Sequence, residues 1–526
     1  MFKAALESTV PNEPDVETLV PACTANFGDY QCNNAMGLWS KIKGKQNELK
    51  GPLSVGQAII QNLPQSEMIE SCSVAGPGFV NAVLSKNWMA KSLQKMLVDG
   101  IGTWAPRLPI KRAIEMHVGH LRSTIIGDKL ARMLEFSNVE VLRRNHVGDW
   151  GTQFVMLIEF LFENFSNWED ANETAVRDLQ AFYKASKQRF GSDREFKEKA
   201  QKAVVRLQAG EAKYHGAWAQ ICDISRNEYN RVYQCLGGES FYNPYIPDVL
   251  KELTSKNLVE DMLLAMHRYR LSEEKAEWII YLTDIGQQQH FDMVFRAAKR
   301  AGWLPAEDNT YPKVTHVGFV VQLVDLLDEA KSRSKTALID RGKDVEWTEE
   351  ELEQTAEAVG YGAVKYADFK NNRLTNYTFN FDQMLNDKGN TAVYLLYSHA
   401  RICSIIRKSG KNIEDLKNTG AIMLDHVDER ALGLHLLQFS EIVEEACTNL
   451  LPNVFCEYLY NLSENFIKLY SNCQVVGSAA ETSRLLLCEA TATVMRKCFY
   501  LLGNKLSFNE YIVRIALNIF TRIIDP

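Results

Sequence analysis

Two histidines bracket a glycine within the segment 115–124, and an amphipathic helical pattern follows them directly. Apolar residues then recur at the spacing of one helical face, at Ile126, Leu130, Met133 and Leu134. If His117 and His120 occupy the first helical turn, their imidazoles share one side, beside unpaired backbone N–H groups that favour phosphate. Gly119 removes a side chain where a nucleotide must come close. The pattern predicts a nucleotide site at this helix start; two ordinary histidines there are the alternative.

Two further segments combine a strand with a polar loop. Val139–Leu142 is typical of a strand, and the polar, glycine-containing segment 143–153 follows it. Trp278–Leu282 is a continuous apolar run, as in a buried parallel strand, and the polar segment 283–290 follows that. Because ligands bind at the carboxyl ends of parallel strands, both loops are candidate parts of one site. For the second loop, capping of the next helix is the alternative.

These segments carry a family resemblance. Residues 117–120 resemble the first signature of class I aminoacyl-tRNA synthetases, and residues 145–153 are similar to the block that marks arginyl-tRNA synthetases among them. The likeness runs from about Phe27 to Gly503 and is closest to the eukaryotic cytosolic, plant-like form. It implies an arginine–tRNA ligase that activates arginine with ATP, accompanied by Mg²⁺, and transfers it to tRNA(Arg). It also implies a cytoplasmic monomer.

The resemblance also implies roles for individual residues. His117 and His120 are the expected catalytic residues, and Gly119 and His290 are expected to join them in binding ATP. The expected contacts to arginine or its adenylate come from Gln287, His146 and Asp149. No metal ligand is expected from the protein itself.

The family's fold has three parts. A small α+β N-terminal domain is expected over residues 1–100, and a Rossmann-like α/β catalytic domain over 101–385, with a helical insertion at about 165–260. A helical anticodon-binding bundle with an atypical tail is expected over 386–526. The fold class is therefore α/β plus all-α.

Both ends of the chain are expected to contact tRNA. The segment 27–33 resembles a motif of the family's N-terminal domain, where Tyr30 could stack on a base and Gln31 could hydrogen-bond one. Burial of Tyr30 in a core is an equal alternative. In the C-terminal domain the candidate contacts, each also readable as an ordinary surface residue, are Tyr394, Tyr397, Arg401 and Arg407.

Composition sets wider limits. The net charge of −7 gives no global argument for a nucleic-acid partner, so a tRNA site must be a local basic patch. Eleven scattered cysteines without a CxxC pair suit reduced thiols in a cytosol-like compartment. No apolar run is long enough to span a bilayer, and no targeting segment is expected.

The chain departs from its family at three places that belong to the catalytic site. Residues 109–115 run almost straight into His117, so one strand of the sheet is expected to be shortened or lost. Between Val259 and Leu271 the family's residues that recognise the substrate guanidinium are missing, and the carboxylate among them cannot be assigned to any residue here. After Phe319 the loop that grips the ATP phosphates is missing. The tail after Gly503 also has no match in the family.

A basic segment, 331–335, is a tempting replacement for the lost phosphate loop. We expect it instead at the end of a helix over Leu323–Ala330, where the helix dipole explains basic residues. The three gaps keep a second hypothesis open, a catalytically silent synthetase-like protein that still binds tRNA. A third, another nucleotidyltransferase with the same histidine signature, is disfavoured by the large helical C-terminal region and by the loop at 148–151.

Overall fold

The computed structural model describes most of the first 503 residues, and everything below concerns those residues. Outside the description are residues 14–15, 24–26, 44–48, 118–120, 146–151, 166–167, 169–178, 237–261, 308–309, 320–325, 341, 343, 346, 373–379, 387 and 504–526. The unmatched tail, residues 504–526, therefore lies outside the described residues. No described helix is both long and apolar enough to cross a lipid bilayer.

The N-terminal domain is a small α+β unit, as predicted. It contains helices α1 (Phe2–Thr9), α2 (Asn34–Ile42) and α3 (Pro52–Gln61) and strands β1 (Tyr30–Cys32), β2 (Ile69–Ala75) and β3 (Phe79–Leu84). The strands pair antiparallel in the order β1-β3-β2. Gly78 has a φ of +123°, and a Cβ there would overlap the Pro52 carbonyl, so only glycine lets α3 pack onto the β2–β3 turn.

The catalytic domain is built on a parallel sheet. Its described strands are β4 (Arg112–His117), β5 (Glu140–Asn145), β6 (Trp278–Asp284) and β7 (Lys313–Phe319), and all neighbours pair parallel in the order β5-β4-β6-β7. Helix α4 (Lys86–Asp99) precedes the sheet, and α5 (Leu121–Phe136) follows β4. The apolar run at 278–282 forms β6, which confirms the prediction of a buried strand.

The sheet is covered on both faces, because alternate residues of β6 point to opposite sides. Trp278, Ile280 and Leu282 join the largest core, which also contains Ile126 and Leu130 of α5. Ile279 and Tyr281 pack on the other face with Phe291. A continuous apolar strand is therefore required here rather than an alternating one.

The segment before His117 forms a complete strand. Arg112–His117 pairs with β5 over six residues and with β6 over five. The strand is therefore not lost, because residues 112–117 themselves supply a central strand of the described sheet; its shortening relative to the family stays a prediction.

The predicted insertion is helical in its described part, and its helices share a separate core with the helix that precedes them. Its described helices are α7 (Leu179–Ser192), α8 (Arg194–Gln208) and α9 (Ala212–Leu236), and α6 (Thr152–Asn164) precedes them in the chain. Val155 and Ile158 of α6 pack against Leu207 of α8 and Ala217 of α9. Within this core the buried carboxylate of Glu159 accepts a 2.6 Å hydrogen bond from the Tyr214 hydroxyl.

Helix α10 (Met262–Ser272) precedes β6 in the chain, and helix α11 (Gln288–Arg300) follows it. A helical hairpin follows β7, and it corrects one prediction. Helix α12 spans Leu326–Ile339, so residues 331–335 lie in its middle and not at its end. They face helix α13 (Glu349–Phe369), where Lys331 lies 3.0 Å from Glu353 and Lys335 lies 2.6 Å from Glu349. Ion pairs with the next helix, and not the helix dipole, account for these basic residues.

The C-terminal part of the described chain is helical, as predicted. After the single turn α14 (Phe381–Met384) it contains α15 (Ala392–Lys408), α16 (Ile413–Thr419), α17 (Val427–Leu437), α18 (Phe439–Asn449), α19 (Asn453–Asn472) and α20 (Glu481–Leu501). Helix α20 is buried on nearly all sides, which a run of leucine, alanine and cysteine allows. Thr391 caps the start of α15, since its side chain accepts a hydrogen bond from the backbone N–H of Tyr394.

Candidate active site

The carboxyl ends of three neighbouring strands meet at one edge of the parallel sheet. His117, the last residue of β4, pairs with Asn145 of β5 on one side and with Leu282 of β6 on the other. Adjacent strands lie about 4.8 Å apart, so the segments that leave these strands begin side by side. Helix α5 starts at Leu121, only four residues after β4 ends. His117 therefore ends a strand and does not lie in the first turn of the helix, so the placement of its imidazole suggested by the sequence pattern was wrong.

Several predicted site residues lie outside the described residues. These are Gly119, His120, His146 and Asp149. The backbone of His117 is described, as the end of β4, but its side chain is not. The roles of these five residues stay predictions.

Gln287 and His290 lie at the start of the helix that follows β6. A short 3₁₀ turn, Ile285–Gln287, joins the strand to α11, and Gln287 is the residue before that helix. Both side chains are exposed. The turn packs closely against Gly318 of β7, where an added Cβ would lie 3.1 Å from the Cα of Ile285. The fold thus brings both residues to the edge of the sheet where β4 ends.

A polar pair beneath this turn was not assigned from the sequence. The hydroxyl of Thr283 and Nε2 of His316 are 2.8 Å apart, which joins the end of β6 to β7. The His316 ring also stacks on Phe291 of α11 at a centroid distance of 4.9 Å. The pair holds the strand end and the following helix in one arrangement. A threonine ending an apolar run was the available sequence signal.

Cationic and neutral groups, and no carboxylate, occupy the described part of the second missing block. His267 and Arg270 of α10 are buried, and both contact the hydroxyl of Tyr281, at 2.8 and 3.2 Å. Burial, with the nearby Arg270 cation, lowers the pKa of His267 to about 4. The sequence 262–272 contains no aspartate or glutamate that could hold a guanidinium.

The helix that follows the histidine signature carries a buried charge network. Asp128 lies 3.2 Å from the Lys129 ammonium, which is fully buried, and 2.8 Å from Arg132. Burial alone would raise the pKa of Asp128, but Lys129, Arg132 and Arg143 outweigh it and lower that pKa to about 2. Lys129 also packs against Gly503 at the end of the last helix, where even a Cβ would overlap it. Helix α5 is therefore fixed between the sheet and the helical domain.

Comparison with known proteins decides the family. The model for the catalytic domain of class I (R) tRNA synthetases matches residues 103–262 and 260–381. The DALR anticodon binding domain matches residues 395–507, and the arginyl tRNA synthetase N terminal domain matches 1–84. The chain belongs to the arginyl-tRNA synthetase family. As a class I aminoacyl-tRNA synthetase it uses ATP, and by this homology it is an arginine–tRNA ligase.

Individual arginyl-tRNA synthetases resemble it over nearly the whole length. The chloroplastic/mitochondrial arginine–tRNA ligase of Arabidopsis thaliana is 65% identical, covering 96% of this chain and 88% of that protein. The cytoplasmic ligase of the same plant is 64% identical, covering 96% and 95%. The crystal structure of arginyl-tRNA synthetase from Plasmodium falciparum superposes with a TM-score of 0.79 at 30% identity, covering 96% and 97%.

The same comparisons record the departures from the family. The alignment with the chloroplastic/mitochondrial ligase spans 566 residues, whereas this chain has 526, so that relative carries at least 40 residues without a counterpart here. The catalytic-domain model matches in two pieces that meet at residues 260–262, where the sequence places the second missing block.

In this arginyl-tRNA synthetase, the N-terminal candidates for tRNA contact are engaged within the protein. The Tyr30 hydroxyl donates a 2.8 Å hydrogen bond to Glu441 of the helical domain, and the Gln31 amide donates one of 2.8 Å to Asn81. Tyr30 is thus partly buried at a domain contact, and its role in tRNA binding stays a prediction. Phe27, which was not singled out, is an exposed aromatic residue, with 54% of its surface accessible. Its place in the motif was the available signal.

The candidates in the helical domain form a partly exposed cluster on α15. The guanidinium of Arg401 lies 4.8 Å from the ring centre of Tyr397 and 5.5 Å from that of Tyr470. Tyr394 donates its hydroxyl to Glu464, and Arg407 is exposed near the end of the helix. The structure adds Tyr470, on α19, which sequence spacing could not connect with α15.

Proposed function

We propose that this chain joins arginine to tRNA(Arg) in the cytoplasm with its own active site, despite the shortened catalytic domain. The observation that carries the proposal is the continuous parallel sheet, in which β4 ends at His117 beside the ends of β5 and β6. The sheet therefore keeps the edge at which the histidine signature and the two candidate ligand loops begin. The cysteines whose side chains are described are all free, which supports a reducing compartment.

In the first step, the arginine carboxylate attacks the α-phosphate of ATP, and pyrophosphate leaves. His117 and His120 stabilise the negative charge that builds on this phosphate. Gly119 permits close approach of the nucleotide, and His290 contributes to its binding. Within the described part of the chain, no three His, Cys, Asp or Glu side chains could hold a metal ion together. Mg²⁺ enters with the ATP substrate and neutralises the pyrophosphate that is released.

Arginine and its adenylate are held by Gln287, His146 and Asp149. The exposed position of Gln287 directly after β6 supports this role, because its side chain stands at the ligand-binding edge of the sheet. In the second step the arginyl group passes from AMP to the 3′ end of the tRNA.

The tRNA is bound at both ends of the chain. Phe27 offers an exposed ring for base stacking in the N-terminal domain, and Gln31 lies four residues further along the same motif. In the helical domain, Tyr394, Tyr397 and Arg401 stack on bases or contact phosphates, and Arg407 adds a phosphate contact.

A second candidate function is supported by the residues that are missing. A chain lacking at least 40 residues of its relative, with a break in the catalytic match at 260–262, could bind tRNA without charging it. The described part of this block, residues 262–272, has no carboxylate that could hold a guanidinium, which favours this candidate.

Single-turnover arginylation of tRNA(Arg) by the purified full-length chain separates the two functions. We expect charging above that of the double variant H117A/H120A, with tRNA binding equal in both proteins. Binding of tRNA without charging by the wild-type chain contradicts the proposed activity and leaves the silent tRNA-binding function.

A further inference from the structure

An ion pair between Asp29 and Arg430 links the N-terminal domain to the helical domain. The Asp29 carboxylate accepts two hydrogen bonds from Arg430 of α17, at 2.9 and 2.6 Å, across 401 positions of sequence. The Asp29 side chain is 5% exposed, and that of Arg430 is 22% exposed. A two-point contact between a carboxylate and a guanidinium fixes orientation as well as distance.

Both partners of this pair are also held by backbone groups. Asp29 Oδ2 accepts a 2.7 Å hydrogen bond from the Leu84 N–H, and Arg430 donates 3.1 Å to the Leu84 carbonyl. Leu84 is the last residue of β3, so Arg430 contacts the backbone of the N-terminal sheet as well as the Asp29 side chain. Removing Arg430 would therefore release the sheet from α17.

Two further contacts lie along the same domain boundary. The Tyr30 hydroxyl donates to Glu441 of α18, as described above, and the Gln94 amide of α4 donates to the Lys417 carbonyl of α16. The N-terminal domain contacts two helices of the helical domain, and α4, which follows β3, contacts a third.

We propose that Asp29 and Arg430 hold the N-terminal and helical domains as a single rigid tRNA-binding body, with Arg430 acting as a positioning residue for tRNA. The proposal rests on the proposed function, in which both domains contact the same tRNA. When two sites on one ligand are held at a fixed spacing, the second contact forms at high effective concentration. Loss of the Asp29–Arg430 contact would lower that effective concentration without altering the tRNA-binding surface of either domain.

The test compares two RNA ligands by equilibrium binding: full-length tRNA(Arg) and its isolated anticodon stem-loop. For R430Q we expect the Kd of full-length tRNA to rise about tenfold, because the two contacts no longer act together. The Kd of the stem-loop should not change, since the stem-loop reaches the helical domain alone. In steady-state arginylation, KM for tRNA should rise while kcat stays unchanged.

The matched control is E67Q, which removes one charge from the exposed pair of Glu67 and Lys91, 2.7 Å apart. It should bind both RNAs as the wild type does. If R430Q does not fold, the same binding measurements are made on the double variant D29N/R430Q, because it does not leave the buried Asp29 carboxylate without its partner. Wild-type affinity for full-length tRNA in the variant measured overturns the proposal, and so does an equal loss for both RNAs.

A parallel measurement with F27A separates this proposal from the function on which it rests. If F27A weakens full-length tRNA binding and R430Q does not, the role of the Asp29–Arg430 pair is refuted while the N-terminal tRNA contact stands. If R430Q weakens full-length tRNA binding and F27A does not, the role of the Asp29–Arg430 pair is supported, and the assignment of Phe27 to the N-terminal tRNA contact fails.

Discussion

Glu115 and Gly127 face each other so closely that a Cβ added at Gly127 would stand 2.7 Å from the carboxylate carbon of Glu115. Glu115 lies in the central strand β4, two residues before His117, and is only 1% exposed. Gly127 lies in the second turn of α5. Glycine at 127 is therefore what allows the signature helix to rest directly on the strand that delivers His117.

We expect Gly127→Ala to impair arginylation more than it impairs folding. The added methyl group must push α5 away from β4, which costs about 2 kcal/mol of stability. A shift of the histidine signature by even part of an ångström should lower kcat/KM by about tenfold or more. Steady-state arginylation and the apparent Tm would be measured together.

Gly37→Ala is the matched control for this variant. Gly37 is exposed on α2, and a Cβ there would meet no atom within 4 Å. Alanine should be neutral or should stabilise the helix by up to about 1 kcal/mol, because glycine is a poor helix former. Full activity in the 127 variant would contradict the argument that this contact positions the signature.

His267 should make the stability of the protein depend on pH. Burial lowers its pKa from 6.5 to about 4 in the folded chain, so the unfolded chain binds the proton more strongly between these values. The stabilisation is complete above pH 6.5 and is lost as the pH falls through about 4, by on the order of 3 kcal/mol. His399, whose pKa burial lowers to about 3, adds to the same trend.

Apparent Tm between pH 7.5 and 4.5 would measure this effect in wild type and His267→Gln. The variant should be less stable at pH 7.5, because the Tyr281 hydroxyl loses its imidazole partner. It should also lose less stability on acidification. His215→Gln, a change at an exposed ring, should follow the wild-type profile. Parallel profiles for wild type and His267→Gln would exclude His267 as the titrating group.

Asp128→Asn should strongly destabilise the junction between α5 and the helical domain. The substitution leaves the fully buried Lys129 without its nearest anion, and an uncompensated buried charge costs about 3 kcal/mol or more. We expect a clear fall in apparent Tm and faster hydrogen exchange in α5. The double variant D128N/K129M, which removes both charges, should recover much of the loss. A single variant as stable as wild type would show that Asp128 does not compensate this lysine.

The sequence predicted those parts of the fold that depend on local periodicity. The apolar run at 278–282 predicted a buried strand, and the helical pattern after the histidine signature predicted α5. In each case the pattern extends over several turns or a whole strand, so neighbouring residues carry the signal.

Contacts between distant segments were beyond that reasoning. Lys331 and Lys335 belong to a helix that extends nine residues past the predicted end at 330, and their partners are glutamates of the next helix. Tyr30 was weighed as a base-stacking or a core residue, yet its hydroxyl meets Glu441 across 411 positions. Spacing along one helix or strand contains no information about such pairs.

The cluster around Arg401 gives the last prediction, because a guanidinium can stack where an ammonium cannot. Arg401 lies over the rings of Tyr397 and Tyr470, so Arg401→Lys keeps the charge but loses the flat surface between the rings. We expect the Kd for tRNA(Arg) to rise about fivefold to tenfold, in line with a cation–π contact of about 1 kcal/mol. Tyr470→Ala should weaken binding similarly, whereas Tyr470→Phe, which keeps the ring, should stay close to wild type. Filter binding at a fixed salt concentration would measure all three variants. An unchanged Kd for Arg401→Lys would mean that Arg401 acts on the tRNA only through its charge.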